Sequence, residues 1–260
     1  MRWCTASTLG LAVLASMSVT APLRSQGTAS AREAQVPFKV GESLRYDVSW
    51  SAVLVAGTAT AQVVDSKPAG TGADAYSILV EGRPVPMLAR LYNLYYKMES
   101  LLDSVTLLSQ RGSLYSEEGA DKTTGTTRFD RAARRAFYER QADTTIKTDF
   151  AIPAGTQDGL AAFYAIRGHA FKSGERFTIP VTDSGGLYTV SVDVAQPESI
   201  RAPIGEVSAW KLTVGITDAQ GQPVWKNIAL WVSNDARRLP VKMQAELPVG
   251  SFVLVLREAR

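Results

Sequence analysis

Cysteine and histidine each occur once, as Cys4 and His169. One thiol cannot close an internal disulfide, and the pair cannot supply a zinc site of three or four Cys/His ligands. His169 stands alone, with no HxxxH or HExxH spacing around it, and its place at the end of a helical pattern fits a capping role near the negative end of the helix dipole. No catalytic residue, metal ligand or cofactor site is assigned. The G-x-S-x-G, Walker-type glycine loop and G-x-G-x-x-G patterns are all missing. Ser208-Ala-Trp-Lys211 has the S-x-x-K spacing of serine acyl enzymes, but it opens an alternating strand pattern that sends the two side chains to opposite faces. The apolar run at residues 9–19 is too short for a transmembrane helix, which needs about 20 residues, and no later stretch approaches that length. Neither charge dominates: 28 Lys and Arg face 25 Asp and Glu, so nucleic acid is not an expected partner.

What is present at the N-terminus reads as an export signal. Arg2 supplies a positive start, residues 9–19 form an uncharged apolar run, and Ala29-Ser30-Ala31 offers a small-x-small cleavage site. Residues 1–31 are therefore expected to be a signal peptide and 32–260 a single β-rich domain, exported to the periplasm or beyond. Cys4 precedes the apolar run, where a lipid-acceptor cysteine would follow it. Loss of the signal removes the only thiol, which suits an oxidising compartment. It also removes Arg2 and Arg24, leaving 26 basic against 25 acidic side chains.

Period-two alternation dominates the remainder. Leu44, Tyr46, Val48 and Trp50 share one face, and so do Val190, Val192 and Val194. Trp210, Leu212, Val214 and Ile216 repeat the pattern, as do Val241, Met243, Ala245 and Leu247. Such strands are half-buried and antiparallel, and about a dozen fit the chain. Turn chemistry at residues 247–250, 233–237 and 130–134 marks hairpins. One segment departs: residues 156–169 read as a helix of about three turns, capped by Thr156, with Leu160, Phe163, Tyr164 and Ile166 on one side. Pro86 to Tyr95 reads as a second, shorter helix with proline in its first turn. Phe38-Lys-Val-Gly-Glu-Ser-Leu44 is echoed by Phe171-Lys-Ser-Gly-Glu-Arg-Phe177, and the contexts of Asp103 and Asp235 match at nearly the same offset. Two repeat units, 38–150 and 171–260, follow from this. The fold class is mainly β: a strongly curved antiparallel sheet, a β-roll or half-barrel, with one principal helix. Charged strand faces and a non-aromatic C-terminus argue against an outer-membrane barrel.

A family resemblance rests on ordered blocks. Gly41-Glu-Ser-Leu-Arg-Tyr-Asp-Val-Ser-Trp50 with Ala56-Gly-Thr-Ala59 is similar to the opening of the bacterial exported family catalogued as domain of unknown function 3108. The similarity continues through Glu99–Asp103, Asp158–Arg167, Phe177–Val181 and Ile228–Leu256. It implies an exported β-rich envelope protein and brings no established activity.

Candidate binding residues come from two sets. The rings of Trp50, Tyr95, Trp210 and Trp231 lie on strand patterns and could line a cleft for an apolar ligand, or fill the core. Arg128, Arg131, Arg134 and Arg135 crowd one hairpin, where guanidinium groups grip phosphate bidentately. Asp47, Glu99, Asp103, Asp193 and Asp235 are the carboxylates available for paired acid–base work, with Asp103 and Asp235 in turn contexts. The first functional reading is non-enzymatic binding or scaffolding of an apolar or amphipathic envelope component, such as a lipid or glycolipid. The alternative is an assembly factor that contacts envelope proteins or polysaccharide. A carboxylate-based glycan hydrolase comes third.

Overall fold

The computed structural model describes residues 34–50, 54–68, 74–247 and 250–260. The expected signal peptide lies outside them. The alternating segments form fifteen strands: β1 (Ser43–Trp50), β2 (Leu54–Pro68), β3 (Asp74–Pro84), β4 (Leu94–Asp103), β5 (Ser109–Glu118), β6 (Asp121–Asp130), β7 (Arg135–Gln141), β8 (Thr145–Ala151), β9 (Gln157–Asp158), β10 (Arg176–Asp183), β11 (Gly186–Ala202), β12 (Gly205–Asp218), β13 (Pro223–Ser233), β14 (Pro240–Leu247) and β15 (Gly250–Ala259). Two helices interrupt them, α1 (Pro86–Ala89) and α2 (Gly159–Gly168). All strands belong to one sheet, ordered β8-β7-β6-β5-β4-β3-β2-β1-β15-β14-β13-β12-β11-β10-β9. Neighbours are antiparallel except β9 on β10, and the two meanders join where β1 pairs with β15, Leu44 opposite Ala259.

The predicted helix is real, but its start and its burial differ from the expectation. Asp158, not Thr156, is the N-cap, and its carboxylate accepts from the Leu160 and Ala161 amides. Thr156 spends its hydroxyl on the Pro153 carbonyl instead. Burial is not confined to one side: Leu160, Ala161, Ala162, Tyr164, Ile166 and Arg167 are all buried. Leu160, Ala161 and Tyr164 pack with Phe38, Val63, Ile78 and Leu102, whereas Ala162 and Ile166 pack with Val192, Val194, Leu212 and Val232. These walls come from opposite arms of the sheet, so the sheet curls around the helix. The β9 end then rests on β5, where the Ser109 amide donates to Gln157 Oε1 at 2.7 Å. Strands β6 to β8 continue past that meeting point.

The second helix is shorter than expected. α1 keeps proline at its start but lasts four residues, and the chain is strand again from Leu94. No α1 residue is buried, so no packing extends it.

A third apolar cluster lies where β1, β2, β14 and β15 meet. β11 carries a register break between Val194 and Pro197, after which the far half of the β11–β12 hairpin bends. Ile200, Ala202, Ile204 and Val207 then cover Leu44, Tyr46, Val241 and Leu256. Between these clusters lies a buried ion pair: Arg167 grips Glu42 with bonds of 2.6 and 3.0 Å and also donates to the Arg237 and Arg238 carbonyls.

Candidate functional site

Strands β4 to β8 show how the alternation builds an outward face. On β4, Ser100 and Leu102 are buried, while Tyr95, Lys97 and Glu99 point the other way. Register extends that face: Lys97 lies opposite Tyr115, Arg111 opposite Arg128, and Arg128 opposite Phe137. Two adjoining grooves run across it. One, of about 370 Å³, lies between Tyr95, Lys97, Glu99 and Tyr115. The other, of about 420 Å³, lies between Arg128, Phe137, Glu139, Lys147 and Asp149. Arg111, Thr124 and Thr126 line both.

The charges in these grooves pair off with one exception. Lys97 binds Glu99 at 2.7 Å, Lys147 binds Glu139 at 3.3 Å, and Asp149 takes the Arg135 guanidinium at 2.8 Å. A hydrogen bond from Gln141, together with Lys147, holds Glu139 below the usual carboxylate range. Glu139 is therefore an ion-pair partner and not a proton donor near neutral pH. Among the described residues, Arg111 and Arg128 make no ion pair, Arg128 only adding at longer range to the field that lowers Glu139, although they stand directly across from one another. Like charges so placed repel, and an anion between them removes that repulsion. Beside them the Tyr95 and Tyr115 rings meet edge to face at 6.0 Å. Tyr95 donates to Glu81, and the Arg83 guanidinium lies 4.6 Å above its ring. Burial first, then the Glu81 contact, raise the Tyr95 hydroxyl above its ordinary value, so it stays a donor.

The arginines expected to act together are divided by the structure. Arg128 lines the groove. Arg131 turns inward and donates to the carbonyls of Thr156 and Ser109, its guanidinium over the Phe129 ring. Burial lowers its pKa to about 10. Arg134 occupies a turn with φ of 53°, and Arg135 is held by Asp149. Arg111 was not among the expected residues. The β5–β6 turn places Glu118 opposite Asp121, and counting back from it puts Arg111 opposite Arg128; recognising that hairpin was the missing signal.

The four rings are likewise placed in different surroundings. Trp50 ends β1, stacked on Phe252 at 6.0 Å. Tyr95 is in the groove. Trp210 lies 6.0 Å from Phe171 and donates to Asn234. Trp231 is buried, donates to Glu198 and sits beneath the Lys211 and Lys242 ammonium groups.

His169 is the C-cap of α2, stacked on Phe177 at 4.1 Å with Nε2 3.0 Å from Glu175. Asp47 pairs with Arg257 and Asp193 with Arg176, on strands far apart in the sheet. Asp103 and Asp235 each accept backbone amides of their own turn. Among the described residues no group of three His, Cys, Asp or Glu side chains is arranged to hold a metal ion, and no helix is long and apolar enough to cross a membrane.

The architecture has a counterpart among solved structures. A β-barrel-like protein of domain of unknown function DUF1849 from Brucella abortus superposes with a TM-score of 0.57 at 11% identity, covering 84% of this chain and 96% of its own. At that identity the likeness shows the fold alone. A protein from Bacteroides fragilis described as exported and YmcC-like in fold aligns over 88% of this chain and all of its own, with a TM-score of 0.34 and 10% identity. No curated protein matches the sequence. Apart from residues 41–44, the blocks noted in the sequence fall within a match over residues 45–257 to one family model, and the chain belongs to that family, described as Protein of unknown function (DUF3108).

Proposed function

We propose that this is an exported, non-enzymatic binding protein of the cell envelope that holds an anionic glycoconjugate on the outer face of β4 to β8. The observation that carries the reading is the Arg111–Arg128 pair, opposed across two strands at the junction of two grooves while every other charge lining them is matched. Guanidinium groups bind phosphate or carboxylate bidentately, and flanking Tyr95, Tyr115 and Phe137 offer flat faces to sugar rings. Along β1 to β4 and β10 to β15 the inner side of the sheet is occupied by α2 and by the β11–β12 hairpin. That occupancy favours the outer face over the concave one for a ligand. Export rests on the N-terminal signal pattern.

Titration calorimetry with a phosphorylated oligosaccharide and its dephosphorylated form tests the proposal. Each charged hydrogen bond contributes about 1.5–3 kcal/mol at best, so Arg111→Glu with Arg128→Glu is expected to lower affinity at least about tenfold. The affinity of the unaltered protein should also fall with salt. Equal binding of both sugars, or binding untouched by the double substitution, removes the reading.

A further inference from the structure

Antiparallel order fixes which connections share an end of the sheet. The strand ends facing the connections β1–β2, β3–β4, β5–β6, β7–β8, β10–β11, β12–β13 and β14–β15 all lie at one end, because β1 and β15 are themselves antiparallel. Of the twelve exposed large apolar side chains among the described residues, nine fall on or within three residues of these connections. Leu91 is 80% exposed and Met87 64%, in the β3–β4 connection beside Tyr92. Trp50 and Trp225, at the ends of β1 and β13, are each close to half exposed. The opposite end carries the caps around Asp103 and Asp235, and of the twelve only Val40, Val64 and Phe137 lie away from the apolar rim.

Water is a poor partner for this rim. α1 has no buried residue, and the described chain leaves Met87 and Leu91 without a core to pack on. The segment preceding residue 34 does not start there either: the Ala34 amide is bonded to the Ser104 carbonyl, in the β4–β5 connection at the other end. Around the β3–β4 connection, away from Asp121 and Asp143 at the β5–β6 and β7–β8 connections, charge points to the occupant. Glu117 and Glu118 are engaged by Asn93, Lys122 and Tyr96. Arg90 has no ion-pair partner among the described residues, and it sits amid Met87, Leu91 and Tyr92. Trp, Tyr and a free guanidinium around aliphatic knobs are the side chains that settle at the headgroup level of a bilayer. The knobs project from separate strand ends, Trp225 from β13 and, beyond β14 and β15, Trp50, Val55, Met87, Leu91 and Tyr92 from the adjacent β1 to β4, an arc that meets a plane more readily than the face of a folded partner.

We infer that this rim docks on a lipid surface, with the Met87–Leu91 connection and the Trp50 and Trp225 rings entering the interface and Arg90 meeting anionic headgroups. The inference is independent of the glycan reading, since it uses none of the groove residues. Flotation of the purified protein with phosphatidylcholine vesicles, with and without phosphatidylglycerol, tests it. The protein should float with vesicles, more so with phosphatidylglycerol, and brominated lipids should quench part of its tryptophan emission. Met87→Ser with Leu91→Ser should lower partitioning about tenfold or more, with melting unchanged because both side chains are exposed. Arg90→Glu should abolish the preference for phosphatidylglycerol. Absence of flotation overturns the inference, and so does flotation that the Met87/Leu91 double substitution leaves unchanged. A dimer that dissolves in that variant, without vesicle binding by the parent, assigns the rim to a second copy and overturns it too.

Discussion

Arg128 and Arg131 stand three residues apart in one hairpin and do opposite things. The sequence shows a cluster of positive charge there, but not which guanidinium finds carbonyls to satisfy. Arg131 does, because β9 and the start of β5 bring the Thr156 and Ser109 carbonyls to it. Arg131→Met should therefore lower stability by about 1–3 kcal/mol, the cost of orphaned acceptors, while leaving oligosaccharide affinity where it was. Chemical denaturation beside calorimetry separates the two effects. Asp103, read correctly as a turn-former, also carries a pH signature. Burial pushes its pKa up, but donors from Thr106 and Val105 outweigh that and hold it below the ordinary 3.8. A folded value below the unfolded one stabilises the protein above the unfolded pKa, and that contribution is lost as pH falls through the lower, folded value. Melting temperature should thus drop on acidification below about pH 4, and Asp103→Asn should flatten that part of the curve.

Elements were more legible than their boundaries. Alternation marks strands because one face is buried and the other wet, and the hairpins at residues 130–134 and 233–237 follow from turn residues that fold locally. The start of α2 was missed because Thr156 and Asp158 are both good caps. The choice between them depends on Ser100 and Ser109, whose hydroxyls bond Asp158 from strands distant in sequence. Asp158→Ala should cost at least about 2 kcal/mol, losing the cap and leaving two buried hydroxyls unpaired, whereas Thr156→Ala should cost less. A urea midpoint for each variant measures the difference. The internal echo has a concrete counterpart in geometry. In one turn the Gly41 amide bonds the Val63 carbonyl at 2.8 Å and Glu42 bonds back to Lys39; in the other, Gly174 bonds Val194 at 2.9 Å and Glu175 bonds back to Lys172. Gly41 and Gly174 have φ of 88° and 79°, a conformation that glycine adopts without a Cβ clash. What differs is the partner each glutamate finds: Glu42 is sealed against Arg167, and Glu175 meets the half-exposed His169.

At the scale of the whole molecule, the sequence announces a curved sheet but not how it closes. Closure depends on β1 meeting β15 and on one helix serving two walls, and neither pairing leaves a local trace. Both have an energetic consequence. Leu44 lies across from Ala259 and shares its cluster with Val241 and Leu256, so the first strand has no complete core until the last has arrived. α2 is split in the same way, Tyr164 packing on the early strands and Ile166 on the late ones. Contacts this distant in sequence carry a large loop-closure cost before they stabilise anything, so folding should be slow and the halves should not persist apart. Unfolding in urea should give coincident transitions by far-ultraviolet dichroism, which reads every strand, and by tryptophan emission, weighted toward Trp210, Trp225 and Trp231 in the second meander. Breaking the Arg167–Glu42 pair with Glu42→Gln leaves a buried guanidinium without its charge partner, and about 3–5 kcal/mol should be lost. Because Glu42 precedes β1 while Arg167 also holds the Arg237 and Arg238 carbonyls, that loss should move both signals together. Two resolved transitions, or a shift in only one of them, would show that each meander holds itself and that the helix merely lies between them.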